Sequence, residues 1–221
     1  MDGVFITGTD TSVGKTVVCA GLLKLLHGSR EVCYWKPVQT GSVLGDDTAE
    51  VRSLTELDKS FLEPTYRFPD PVSPHFAARK WGKTIELEPM VKTFQQAKQQ
   101  GRFVIAEGAG GVLVPFNEET LQIHFIQRLG LPVILVGEDR VGGINHALLS
   151  LNACREAGVQ VLGVILTRAR GTLGNAESIS HFGKVDILAQ LDPSEDVRTL
   201  VARVSSDSKL RSLFGVPTLP L

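Results

Sequence analysis

The stretch GVFITGTDTSVGKTVV, residues 3–18, constrains the fold of this 221-residue chain more than any other segment. GVFIT (3–7) is a short apolar run of strand type, and the pattern after Gly14 is helical, so GTDTSVGKT (8–16) occupies a strand-to-helix turn. At such a turn backbone N–H groups and a helix N-terminus converge on an anion. The familiar phosphate loop is G-x-x-x-x-G-K-[ST]. In this chain five residues separate Gly8 from Gly14, and Thr9 stands at the expected glycine position. In the loop's own logic Lys15 neutralises the β and γ phosphates and the Thr16 hydroxyl holds Mg²⁺.

The rest of the chain repeats the strand-then-helix rhythm. Strands are expected at 3–7, 31–36, 103–107, 132–137, 161–167 and 185–191, with helices near 14–28, 46–58, 86–100, 119–129, 142–157 and 175–182. Alternation of this kind predicts an α/β fold, a doubly wound and mostly parallel sheet with helices on both faces, built as a single domain over 1–221. The C-terminal SSDSKLRSLFGVPTLPL predicts a short helix and a tail. Twenty-three basic against 24 acidic residues leave a formal charge of −1, too little field to gather nucleic acid or an anionic membrane. Any anion must therefore be captured locally. Cys19, Cys33 and Cys154 have no metal-ligand spacing, and reduced thiols fit a cytoplasmic protein. MDGVFITG has no basic n-region and is not expected to be a signal peptide, and no apolar run is long enough to span a bilayer.

Several further residues carry candidate chemistry. FVIAEGAGG (103–111) delivers Glu107 at the carboxyl end of a strand, where α/β proteins bind ligands, followed by glycines that allow close backbone approach. Glu107 suits Mg²⁺ or its water shell, the alternative being a buried strand running into a glycine turn. In WKPVQTG (35–41) Pro37 stops a strand and leaves Lys36 at its end, either to stabilise a transferring phosphoryl group or simply as a surface lysine. Asp46 and Asp47 are a helix cap and first-turn acid, or one of them is a further magnesium ligand. PTYRFPDPVSPHF (64–76), with four prolines, predicts a surface loop of fixed shape. The histidines are expected to be structural or solvated.

These residues specify a Mg-nucleotide enzyme or switch. The partition and division-site ATPases carry K-G-G-x-G-K-T, whose first lysine reaches a partner's nucleotide; here that position is Asp10, which would repel phosphate. GTDTSVGKT, KPVQTG, PVSPH, EGAGG and PVILVG followed by GGINHALL, in that order over most of residues 1–160, resemble the motif set of the dethiobiotin synthetases. The five-residue spacing in the loop is similar to that family's own. The resemblance implies a P-loop homodimer that turns 7,8-diaminononanoate, CO₂ and ATP into dethiobiotin, ADP and phosphate. It implies Lys36, Lys15 and Thr11 as catalytic residues. Ser12, Val13, Gly14, Lys15, Thr16, Val17, Asp47, Glu107, Gly108, Ala109, Gly110, Thr167 and Arg168 are implied as nucleotide contacts, with Thr16, Asp47 and Glu107 holding Mg²⁺. Thr40 is implied at the substrate, and Gly142, Gly143, Ile144 and Asn145 form a helix start that receives the substrate carboxylate across the dimer interface. Pro71 to His75 are expected to shape the diamine pocket. An amide-forming cobyrinate-type synthetase would normally bring a glutaminase domain, for which this length leaves no room.

Two positions depart from that pattern. Family members commonly have an asparagine-aspartate pair that reads adenine where this chain has Thr167-Arg168, and threonine offers one hydroxyl in place of an amide's donor and acceptor. A weaker preference for ATP over other nucleoside triphosphates is therefore expected. Ser178 stands where the family has an aromatic residue at the substrate.

Overall fold

The computed structural model describes residues 1–217. Its main sheet has seven strands: β1 (Gly3–Gly8), β2 (Val32–Trp35), β4 (Phe61–Leu62), β6 (Phe103–Gly111), β7 (Val133–Glu138), β8 (Val161–Thr167) and β9 (Ile187–Gln190). They lie in the order β4-β2-β6-β1-β7-β8-β9, and every pairing is parallel. β3 (Val38–Gln39) and β5 (Tyr66–Arg67) form a separate two-stranded parallel ribbon. Helices cover both faces. α1 (Lys15–Leu26), α2 (Asp47–Thr55), α8 (Val197–Ser206) and α9 (Ser208–Phe214) pack on the face presented by Val4, Ile6, Tyr34 and Ile105. α3 (Pro74–Lys80), α4 (Leu87–Gln99) and α5 (Gln122–Leu129) cover Phe5, Trp35, Val104 and Val133 on the other. α6 (Gly143–Glu156) and α7 (Asn175–Gly183) extend that second layer over Leu135, Val164 and Leu166.

α1 is apolar around most of its circumference because it lies between the sheet and α8, and nine of its 12 residues are buried. A Cβ at Gly21 would come within 2.3 Å of Val204, so glycine at this point lets α8 seat. β1 is central, with β6 on one side and β7 on the other, so the crevice at the carboxyl ends of these strands is the natural ligand position of an α/β sheet.

Several expectations are adjusted. β6 continues through the glycines to Gly111 and does not turn after Glu107, because Gly8 and Gly111 still pair across β1. The proline stretch is not wholly loop: it contains β5 and the start of α3, where Pro74 takes the first helical turn, a position that needs no N–H. β4 is an edge strand of two residues, too short to leave a periodic signal. The C-terminal region holds two helices, α8 and α9; the end of the expected tail, residues 218–221, lies outside the described residues.

Candidate active site

The phosphate loop joins β1 to α1 and is shaped by its own backbone. Gly14 has φ 90°, a left-handed value that glycine adopts without penalty, and a Cβ there would approach the Thr167 methyl to 2.9 Å. Lys15, 6% exposed, donates from Nζ to the Asp10 carbonyl at 3.0 Å, which curls its side chain back over the loop. The Asp10 carboxylate accepts from Thr11 N–H at 2.7 Å and is exposed. Burial, and then the neighbouring Lys36, push the Lys15 ammonium below its ordinary pKa.

Beside the loop, α1 and β2 converge on Glu107 of β6, which is 1% exposed at the carboxyl side of the sheet. Its Oε1 accepts from Thr16 Oγ1 of α1 at 3.1 Å and from Lys36 Nζ, just beyond β2, at 2.9 Å. Its Oε2 accepts from the Tyr34 hydroxyl of β2 at 2.9 Å. Lys36 also donates to the Gly108 carbonyl at 3.1 Å and lies 2.5 Å from Asp47 Oδ2 at the start of α2. Burial opposes the charge on Lys36, but Glu107 and then Asp47 outweigh it and raise its pKa above the ordinary value. Lys36 is thus a buried cation between two carboxylates and not a surface lysine. Asp46 is the cap of α2, accepting from Ala49 N–H at 2.9 Å, which leaves Asp47 free to face the site.

A cavity of about 730 Å³ opens here, and Thr11, Ser12, Gly14 to Val17, Lys36, Thr40, Asp47, Glu107, Ala109 and Gly110 line it. Pro71 to Pro74 form part of the same wall, whereas His75 lines a different cavity with Arg79 and Phe116. Val13 and Gly108 are buried behind the wall. Gly108 makes room for a side chain and not for a ligand: a Cβ would come within 2.8 Å of Gln122 and 2.9 Å of Phe5. Gly142 to Asn145, at the first turn of α6, are not on this cavity wall. Thr167 Oγ1 donates to the Val13 carbonyl at 2.8 Å, so its hydroxyl braces the phosphate loop instead of standing free to read a base. Arg168 is exposed and pairs with Glu138 at 2.6 Å.

The Thr16 hydroxyl against Glu107, and the Glu107 and Asp47 carboxylates meeting at Lys36 Nζ, bring together oxygen donors of the kind that suits a hard divalent cation. Among the described residues no cluster of three or more His, Cys, Asp or Glu is arranged for a metal, so a cation held by Thr16, Asp47 and Glu107 would need further ligands from outside the protein. Three site residues escaped the sequence reading. Tyr34 was an ordinary strand aromatic; Gln39, 3% exposed, accepts from Asp47 N–H at 3.2 Å and sets the start of α2. Gln122, wholly buried, ties Ala109 N–H, the Gly111 carbonyl and the Thr7 hydroxyl together. A polar residue inside an otherwise apolar helix face was the only available signal for Gln122.

Comparison with known proteins covers most of the chain. A family model described as an AAA domain, AAA_26, matches residues 2–199. In structure the chain is similar to the MinD cell division protein of Aquifex aeolicus, with a TM-score of 0.64 at 18% identity over 100% of this chain and 99% of that one. It is similar also to a ParA family ATPase of Chlorobium tepidum, with a TM-score of 0.58 at 16% identity over 96% and 97%. These likenesses establish the P-loop ATPase fold. In sequence the chain is 40% identical to the ATP-dependent dethiobiotin synthetase BioD of Paramagnetospirillum magneticum, over 87% of this chain and 89% of that protein. It is 37% identical to the BioD of Lawsonia intracellularis, over 96% and 98%. With relatives of this identity aligned along nearly their full length, the chain belongs to the ATP-dependent dethiobiotin synthetase family.

Proposed function

We propose that the cavity beside the phosphate loop joins 7,8-diaminononanoate to CO₂ at the expense of ATP and closes the ring of dethiobiotin, with the whole chain acting as one ligase domain. Membership of the family makes the chain a carbon-nitrogen ligase that uses ATP. The observation that carries the residue assignment is Lys36 held between Glu107 and Asp47 beside the loop lysine.

One substrate amine takes up CO₂, loses a proton and becomes a carbamate. A carbamate oxygen attacks the γ-phosphorus, ADP leaves, and a carbamic-phosphoric anhydride forms. The second amine then attacks the carbamoyl carbon, expels phosphate and loses its proton. Because the attacking carbamate is already anionic, the phosphoryl step needs charge and position more than a strong base. Lys15 and the loop N–H groups hold the phosphates, and Thr11, exposed at the cavity mouth, contributes to the same cradle. Lys36 neutralises charge as it passes between carbamate, phosphoryl group and ADP. Thr16, Asp47 and Glu107 would hold Mg²⁺, which when bound screens the phosphate oxygens. Thr40, with Pro71 to Pro74, borders the space for the diamine.

The substrate carboxylate is assigned to Gly142, Gly143, Ile144 and Asn145 of a second copy of the chain. Support for a homodimer comes from Val141 and Leu149, which flank this segment and are 85% and 61% exposed. An uncapped helix start favours a carboxylate. No helix among the described residues is long and apolar enough to cross a membrane, and Cys19, Cys33 and Cys154 are free and buried, which suits a cytoplasmic enzyme.

The deciding measurement is phosphate release from ATP with Mg²⁺, bicarbonate and diaminononanoate, omitting each in turn. Release should need all of them. Release that persists without the diamine overturns the assignment and favours a nucleotide switch of the partition type.

A further inference from the structure

Tyr34 belongs to none of the motifs that define the site, yet it reaches the centre of it. β2 and β6 run parallel with Tyr34 opposite Ile105 and Trp35 opposite Ala106. Side chains alternate along a strand, so Tyr34 and Lys36 share a face with Ile105 and Glu107. The two side chains from β2 and its end therefore reach one carboxylate, each at a different oxygen. Lys36 and Thr16 take Oε1 at the cavity, and the Tyr34 hydroxyl takes Oε2 at 2.9 Å from within the core.

The terminal torsion of a glutamate is soft and nearly two-fold, so the angle at which it offers an oxygen to a ligand is set by whatever holds the other one. Tyr34 is wholly buried and its ring packs edge-on to Phe61 with centroids 5.9 Å apart, so core packing fixes where the hydroxyl sits. We propose that Tyr34 is a positioning residue for the metal carboxylate: its hydroxyl holds Glu107 Oε2 and thereby presents Oε1 to Thr16 and to the magnesium that accompanies ATP. This rests on Glu107 being a magnesium carboxylate.

Tyr34→Phe keeps the ring and removes only the donor. The test is Mn²⁺ binding to the full chain with a non-hydrolysable ATP analogue, followed by paramagnetic resonance, beside Glu107→Gln as reference. Outer partners of metal ligands typically govern metal affinity by tenfold or more. Tyr34→Phe should weaken Mn²⁺ binding about tenfold, leave analogue binding in EDTA unchanged, and raise the KM for Mg²⁺ more than it lowers kcat. Unchanged Mn²⁺ affinity in Tyr34→Phe, with a loss in Glu107→Gln, overturns the role of Tyr34 and spares the metal site. No loss in Glu107→Gln overturns both. Equal loss of Mn²⁺ and of metal-free analogue binding in Tyr34→Phe identifies a general packing role and also overturns the proposal.

Discussion

Lys36 Nζ lies 2.9 Å from Glu107 Oε1, with their side chains 6% and 1% exposed. An ion pair so sealed from water is costly to break, because removing one partner leaves the other charge buried and unpaired. Lys36→Ala should lower kcat by at least about 100-fold, as loss of a group that stabilises transition-state charge does. Phosphate release under saturating substrates measures this, and full turnover would remove Lys36 from the catalytic set. Lys36→Met, which keeps the apolar stem but not the charge, should restore neither turnover nor the stability lost with the ion pair, because Glu107 and Asp47 remain unpaired.

The two lysines respond to alkali in opposite ways. Lys15 has a lowered pKa, so between its folded value and the ordinary 10.5 the unfolded chain binds the extra proton and the Lys15 contribution to stability rises with pH. Lys36 has a raised pKa, so its contribution is present below 10.5 and is lost as pH climbs through its folded value. Phosphate binding depends on the Lys15 charge, hence affinity for a non-hydrolysable ATP analogue should decline before pH reaches 10.5. Lys15→Arg, which stays charged, should flatten that decline even if it binds more weakly overall. A wild-type affinity constant up to 10.5 contradicts this.

Thr167 braces the loop and offers no free hydroxyl to a base. Turnover with ATP, CTP and GTP should therefore be comparable, and strict dependence on ATP rules the idea out. Thr167→Val should weaken nucleotide binding by about 1–2 kcal/mol, roughly five- to thirtyfold, through the orphaned Val13 carbonyl. It should do so equally for all three nucleotides.

Gly108→Ala places a methyl against Gln122 and Phe5, at distances where side chain or backbone must shift. Overpacking of this kind costs about 1–3 kcal/mol. Thermal unfolding should show the loss, together with reduced activity as Ala109 moves at the cavity wall. Unaltered stability would mean that Gln122 can withdraw.

If the substrate carboxylate binds across a symmetric dimer, two dead variants can repair each other. Lys36→Ala mixed with Asn145→Asp and re-equilibrated should regain activity up to about a quarter of wild type, since a mixed dimer contains one intact site. No regain at any ratio counts against a shared site.

The phosphate loop was legible because its chemistry lies within nine consecutive residues at one strand-helix junction, where spacing alone carries the information. Lys36 and Glu107 were legible as polar residues ending apolar strands. Only the family resemblance separated Asp47 from Asp46 in sequence, because by residue type alone either could cap α2; the Asp46 bond to Ala49 N–H gives the physical reason that Asp47 is left to face Lys36. In sequence the glycines after Glu107 left a turn open, but β6 resumes its pairing with β1 at Gly111 across a register shift in which Gly110 takes φ 66°.

The sequence by itself determined the α/β alternation, the nucleotide loop and the family, since each depends on local periodicity or contiguous spacing. What only the tertiary structure decided is how distant residues meet. Parallel register brings Tyr34 to Glu107, α5 inserts Gln122 under the glycine strand, and β8 turns Thr167 toward Val13. Strand order and register are long-range properties, set when the two helix layers close on the sheet.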